Sequence, residues 1–141
     1  MQVTIYSDGG ARGNPGPAGI GAVIEIRDGK IENRDHKISK FIGNTTNNQA
    51  EYKAVIEALA WVKDNIKAKD LEIKCFLDSE LIVEQLNQRY KLKNEGLKPL
   101  FWQIRDLVMS LGGKISFKYI PREKNHQADK LANEAIDKAN K

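Results

Sequence analysis

Apolar and polar positions change period along the chain, and each change marks an element. Val3 to Tyr6 alternates and is rich in β-branched residues, the pattern of a half-buried strand. It runs into Asp8-Gly-Gly-Ala-Arg-Gly-Asn-Pro-Gly-Pro, a turn-rich stretch that predicts neither helix nor inner strand. Ile20 to Ile26 is expected as a second strand, Asp28-Gly29 as a hairpin turn, and a third strand within Ile31 to Ile42. After Thr45-Thr-Asn-Asn, whose side chains can cap a helix, the period lengthens. Tyr52, Val55, Ile56, Leu59, Val62 and Ile66 recur at helical spacing. Leu71 to Leu77 alternates and then turns continuously apolar, which predicts a strand covered on both faces in its second half. Ser79 opens a helix carrying Leu81, Ile82, Val83 and Leu86. Leu97 to Leu111 predicts another, stopped by Gly112-Gly113. Ile115 to Ile120 is the fifth strand, and Asn125 is expected to cap a last helix with Ala128, Leu131, Ala132, Ala135 and Ile136 on one face. The order βββαβααβα predicts an α/β fold, one mixed sheet flanked by helices, in a single domain over residues 1–141.

Composition adds boundaries to this picture. With 141 residues, 40% hydrophobic and 30% charged, the chain can bury a core without disulfides or zinc. The single cysteine, Cys75, excludes an intrachain disulfide and any multi-cysteine metal site. No apolar run reaches the roughly 20 residues of a spanning helix. Met1-Gln-Val-Thr has no basic, apolar leader, so no secretory signal and no membrane partner are expected, and the expected location is cytoplasmic. The net charge of +4 permits a polyanionic partner without specifying one.

Four carboxylates stand out by position. Asp8 is expected at the end of the first strand and Asp78 at the end of the fourth, where sites form in open α/β sheets. If these strands are parallel neighbours, the two side chains converge. Glu51 falls in the first turns of the first long helix and Asp129 early in the last. Each alone has an ordinary explanation: turn chemistry for Asp8, a helix cap at Asp78-Ser79, a capping box of Asn48 with Glu51, and the helix dipole for Asp129. Their joint pattern carries the chemistry. Clustered carboxylates are hard oxygen donors of the kind divalent cations take. Four such carboxylates without metal should repel and raise one another's pKa.

The segments Tyr6-Ser-Asp-Gly-Gly-Ala-Arg-Gly-Asn-Pro-Gly-Pro17, Thr45-Thr-Asn-Asn-Gln-Ala-Glu-Tyr52, Leu77-Asp-Ser79 and Asn125-His-Gln-Ala-Asp-Lys-Leu-Ala132 resemble, in order and spacing, those of type 1 ribonuclease H, in the form lacking a basic protrusion. The first two segments are the specific ones. The resemblance implies a ribonuclease H-like fold: a five-stranded mixed sheet with helices on both faces. It implies a metal-dependent endonuclease that hydrolyses the RNA strand of an RNA–DNA hybrid, leaving 5′-phosphate and 3′-hydroxyl ends. Asp8, Glu51, Asp78 and Asp129 would be both catalytic residues and ligands of two Mg²⁺, with Mn²⁺ as a substitute. Asp8 would bridge the ions, Glu51 would lie near the RNA 2′-hydroxyl, and Asp129 would hold the more weakly bound ion. Gly9, Arg12, Asn14, Asn47 and Asn48 would meet the hybrid, where polar groups in the minor groove distinguish RNA from DNA. Thr46 would meet a phosphate of the DNA strand. No obligate protein partner is expected, and a monomer is. Two rivals share the pattern: a resolvase or integrase core on the same sheet, and a non-catalytic hybrid-binding module.

Some positions depart from the family. Glu80 stands where Gln is frequent, and a carboxylate cannot donate to the groove. The loop from Pro121 to Asn125 is short, leaving His126 at the helix start and Arg122 nearer the place of the family's loop histidine. Between Gln88 and Leu100, Arg89, Lys91, Lys93 and Lys98 face a single Glu95, with Tyr90 among them, a reduced handle for a DNA backbone. Trp61 and Trp102 are expected to pack, Cys75 to be a buried strand residue, and Lys63 to Asp70 to be a solvated helix end. His36 has no partner legible in the sequence.

Overall fold

The computed structural model describes residues 1–29 and 33–140. Among them the elements run β1 (Gln2–Ala11), β2 (Gly16–Arg27), β3 (Asn33–Thr45), α1 (Asn47–Asn65), β4 (Glu72–Leu77), α2 (Glu80–Leu86), α3 (Lys98–Ser110), β5 (Ile115–Tyr119), a 3₁₀ turn (Arg122–Lys124) and α4 (His126–Ala139). The expected start of the third strand at Ile31 lies outside the described residues. The five-stranded sheet has the order β3-β2-β1-β4-β5. β1, β2 and β3 pair antiparallel, whereas β4 and β5 join in parallel, as crossover helices require.

The two faces differ in packing. On one, Val3 and Ile5 of β1, Ala22, Ile24 and Ile26 of β2, and Ile73, Cys75 and Leu77 of β4 form a continuous core with Tyr52, Val55, Leu59 and Val62 of α1, Ile82 and Leu86 of α2, and Ile104 and Val108 of α3. The other face takes α4, whose backbone at Ala128 and Ala132 lies directly against Gly21 of β2. Among the described residues no helix is long and apolar enough to cross a membrane.

The structure changes several expectations. β1 does not end at Asp8. It continues to Ala11, paired with Ala18–Gly21, and β2 begins already at Gly16. β1 and β4 pair only as far as Tyr6 and Phe76, so beyond that couple β1 continues as an edge strand paired with β2 alone, while β2 stays paired with β3 on its other side. The capping box of α1 is built by Thr46 and Gln49, not by Asn48 and Glu51, which leaves the Glu51 carboxylate for other work. Asn125 occupies the N-cap position of α4, but its side chain makes no capping bond. Trp102 does not pack. It is 63% exposed, in a T-shaped contact with Phe101 at a ring-centroid distance of 5.5 Å. Trp61 does pack, against the core and in a parallel stack on His36 with ring centroids 4.1 Å apart, so His36 acquires its partner from α1. Cys75 is buried, and burial pushes its thiol up to about 12.

Candidate active site

The parallel register of β1 and β4 places the first two carboxylates. Tyr6 lies beside Phe76 in the last paired couple, so Asp8 and Asp78 each stand two residues beyond it, at the same level. The ladder has ended there, and the side chains meet in the opening. Glu51 enters from α1, which crosses β1 backbone to backbone at Gly9. A carboxylate oxygen from each of Asp8, Glu51 and Asp78 lies within 4.8 Å of the others.

Burial and proximity set their proton affinity. Asp8 is pushed up to about 7, first by burial and then by the charge of Asp78. Glu51 is raised well above the ordinary carboxylate range by burial, then by Asp8 and Asp78. Its Oε2 is buried without a hydrogen-bond partner. An orphaned oxygen inside an all-oxygen donor set suits a hard divalent cation, which supplies the charge the three carboxylates lack. Asp8, Glu51 and Asp78 can therefore hold metal.

Asp129 stands apart from the tight three. It lines the same cavity, of about 390 Å³. Its presence beside Asp8 contributes to the upward shift there. Asn133, one turn along α4, donates through Nδ2 to Asp129 Oδ1 at 3.3 Å.

Of the residues expected to meet substrate, Gly9, Arg12, Asn47 and Asn48 line this cavity. Asn14 and Thr46 support it. Asn14 Oδ1 accepts from the Asn47 N–H at 3.0 Å, and Asn47 Oδ1 accepts from the Ala11 N–H at 2.7 Å, so the β1–β2 turn and the start of α1 are tied together. Thr46 Oγ1 accepts from the Gln49 N–H as the helix cap. Arg12 points along α4, with Nη1 2.6 Å from Asp137 and Nη2 3.4 Å from Asn133 Oδ1. Arg122 also lines the cavity, whereas His126 lines a second one with Tyr6, Val23 and Glu25. Sequence reasoning missed Asn125 and Asn133. Asn125 reads locally as a cap, and its real partners are 47 and 118 residues away.

A mixed sheet with this strand order, opening where the β1–β4 ladder ends onto converging carboxylates from those two parallel strands and a crossing helix, defines a ribonuclease H-like domain. Residues 6–135 match the family described as Reverse transcriptase-like. Ribonuclease HI of Halobacterium salinarum is 39% identical over 140 residues, covering 98% of this chain and 66% of that protein. A bifunctional protein of Mycobacterium tuberculosis is 41% identical over 139 residues, covering 99% of this chain; the chain spans only 36% of that relative's length. Among solved structures, LC11-RNase H1, isolated from compost by a metagenomic approach, superposes with a TM-score of 0.88 at 50% identity, covering 99% of each chain. The same LC11 enzyme is known in complex with an RNA/DNA hybrid. The chain belongs to the type 1 ribonuclease H family.

Proposed function

We propose that this chain is an endoribonuclease that hydrolyses the RNA strand of RNA–DNA hybrids, leaving 5′-phosphate and 3′-hydroxyl ends. The observation that carries the reading is the convergence of Asp8, Glu51 and Asp78 within 4.8 Å, in a family whose LC11 member is known with a hybrid bound. Asp8, Glu51 and Asp78 would hold one Mg²⁺, and Asp8 with Asp129 a second, Mn²⁺ being an acceptable substitute. Such ions, when bound, activate a water and stabilise the leaving oxyanion.

The protein's own groups bind and orient. Gly9, Asn47 and Asn48 form a polar wall beside the carboxylates, suited to a shallow minor groove bearing 2′-hydroxyls. The ties from Asn14 and Asn47 fix that wall before substrate arrives. Arg12 and Arg122 are cations at the same cavity and would meet phosphates. Thr46, the N-cap of α1 beside Asn47, would meet a phosphate of the DNA strand. The domain would act as a cytoplasmic monomer without an obligate protein partner.

Purified protein incubated with Mg²⁺ or Mn²⁺ and labelled hybrid, duplex RNA and duplex DNA tests the reading. Cleavage confined to the RNA of the hybrid supports it. Binding without cleavage would make the chain a hybrid-binding module, and cleavage of duplex DNA would favour a resolvase-like nuclease.

A further inference from the structure

Asn125 is 1% exposed, yet it is polar and does not cap its helix. Its Nδ2 donates to the Ser7 carbonyl at 2.9 Å and to Asp78 Oδ2 at 3.0 Å. Its backbone carbonyl accepts from the Asp129 N–H at 3.1 Å. One residue thus touches the peptide preceding Asp8, the carboxylate of Asp78 and the first turn of the helix carrying Asp129. We propose that Asn125 is a positioning residue that holds Asp78 in its ion-binding orientation and ties the start of α4 to β1 at Ser7, beside Asp8. The inference rests on the metal-dependent reading given above.

The chemistry requires an amide here. Both partners of Nδ2 are acceptors, so only a donor satisfies them, and a single NH₂ group serves both. Asp78 is held at one oxygen, leaving the other free to face Asp8 and Glu51. Without this bond, repulsion within the cluster would favour rotation of Asp78 toward solvent, because Asp78 is itself only half-buried. Asn125 Oδ1 is buried without a partner, so the residue keeps an unsatisfied acceptor in order to place its donor. Asn125→Asp would retain the shape and replace the donor with a charge facing a carbonyl and a carboxylate.

Partners that orient a ligand of a metal are worth about 10- to 100-fold in affinity or activity. For Asn125→Ala, kcat on a hybrid should fall by about that factor while KM for the hybrid changes less than about threefold. Divalent-ion binding to the substrate-free protein, read by calorimetry with Mn²⁺, should weaken about tenfold. Asn125→Asp should be at least as impaired. Thermal melts establish that the variants are folded. If Asn125→Ala melts below the assay temperature, the assays are run colder and Asn125→Ser serves as the milder variant. Combined with Asp78→Asn, Asn125→Ala should add little further loss of Mn²⁺ affinity, because both changes remove the same ligand. Wild-type Mn²⁺ affinity and kcat in the folded variants, or full additivity with Asp78→Asn, would overturn the proposal. Should the wild-type protein bind Mn²⁺ but cut no hybrid, the catalytic reading fails while the calorimetric comparison still decides the role of Asn125.

Discussion

Gly9 of β1 and Ala50 of α1 are packed backbone against backbone: a methyl group on Gly9 would overlap the Ala50 carbonyl and stand 2.7 Å from the Glu51 nitrogen. The obstacle is a helix backbone, which cannot rotate away. Glu51 reaches Asp8 because this crossing is so close. Gly9→Ala should therefore cost about 1–3 kcal/mol of stability through overpacking. It should also lower kcat by more than tenfold, since α1 must lift Glu51 away from its partners. Gly21→Ala, which meets Ala128 and Ala132 of α4 in the same way, should be destabilised similarly. Denaturant melts paired with hybrid cleavage test both; wild-type activity in a folded Gly9→Ala protein would show that the crossing does not set the site.

Asp8→Asn should abolish cleavage yet leave metal-free stability equal or higher. In the unfolded chain Asp8 has its ordinary affinity, near 3.8, whereas the fold raises it to about 7. The folded state therefore holds the proton more tightly. The stability this confers is fully present below about pH 4 and is lost as pH rises through about 7. Metal-free wild-type protein should melt at lower temperature at pH 8 than at pH 5, by the equivalent of a few kcal/mol at most. Asp8→Asn should flatten that fall, and saturating Mg²⁺ should restore stability at pH 8 by binding the native carboxylates. A large loss of stability on Asp8→Asn would make Asp8 a structural residue.

The element order was legible from periodicity, and the meeting of Asp8 with Asp78 from their matched places on two strands that turn out to be parallel neighbours, whereas Glu51 joined them through the motif that carries it. Once β1 and β4 are parallel neighbours, Asp8 and Asp78 have to meet. What stayed illegible depends on contacts between distant segments. The continuation of β1 through Ala11 is decided by β2 beside it, and a glycine run looks the same in a turn and in a ribbon. Asn125 reads as a cap because Asn often is one, and only the folded chain brings Asp78 to its amide. Trp102 was expected to pack because it lies in a helical stretch, and its 63% exposure places it on the outer side of α3.

The handle for a DNA backbone expected between Gln88 and Leu100 should appear in the salt dependence of hybrid binding. Arg89 is already paired with Glu84 at 2.9 Å and Lys98 with Glu95 at 2.7 Å, whereas Lys91 and Lys93 form no ion pair among the described residues. Each phosphate neutralised contributes up to about −0.9 to the slope of log K against log salt on duplex DNA, so replacing Lys91 and Lys93 with Ala should flatten the slope by up to about 1.8. Neutralising Arg89 and Lys98 should change it less. Hybrid binding measured from low to physiological salt checks this, and an unaltered slope in the Lys91/Lys93 variant would remove the stretch from the substrate path.

The loop before α4 offers two candidates, and the cavities separate them. Arg122 shares its cavity with Asp8, Glu51, Asp78 and Asp129, whereas His126 faces the one lined by Tyr6, Val23 and Glu25. A guanidinium does not deprotonate, so Arg122 cannot serve as a base; it can bind phosphate, and a charge-assisted bond of that kind is worth about 1.5–3 kcal/mol. Arg122→Ala should therefore raise KM for the hybrid about tenfold or more, more so at low salt, with the pH profile of kcat unchanged. His126→Ala should leave kcat and KM within about twofold of wild type. The reverse pattern, with a basic limb lost from the kcat profile of His126→Ala, would place the proton-transfer group at the start of α4. Unchanged kinetics in both variants would remove this loop from the mechanism.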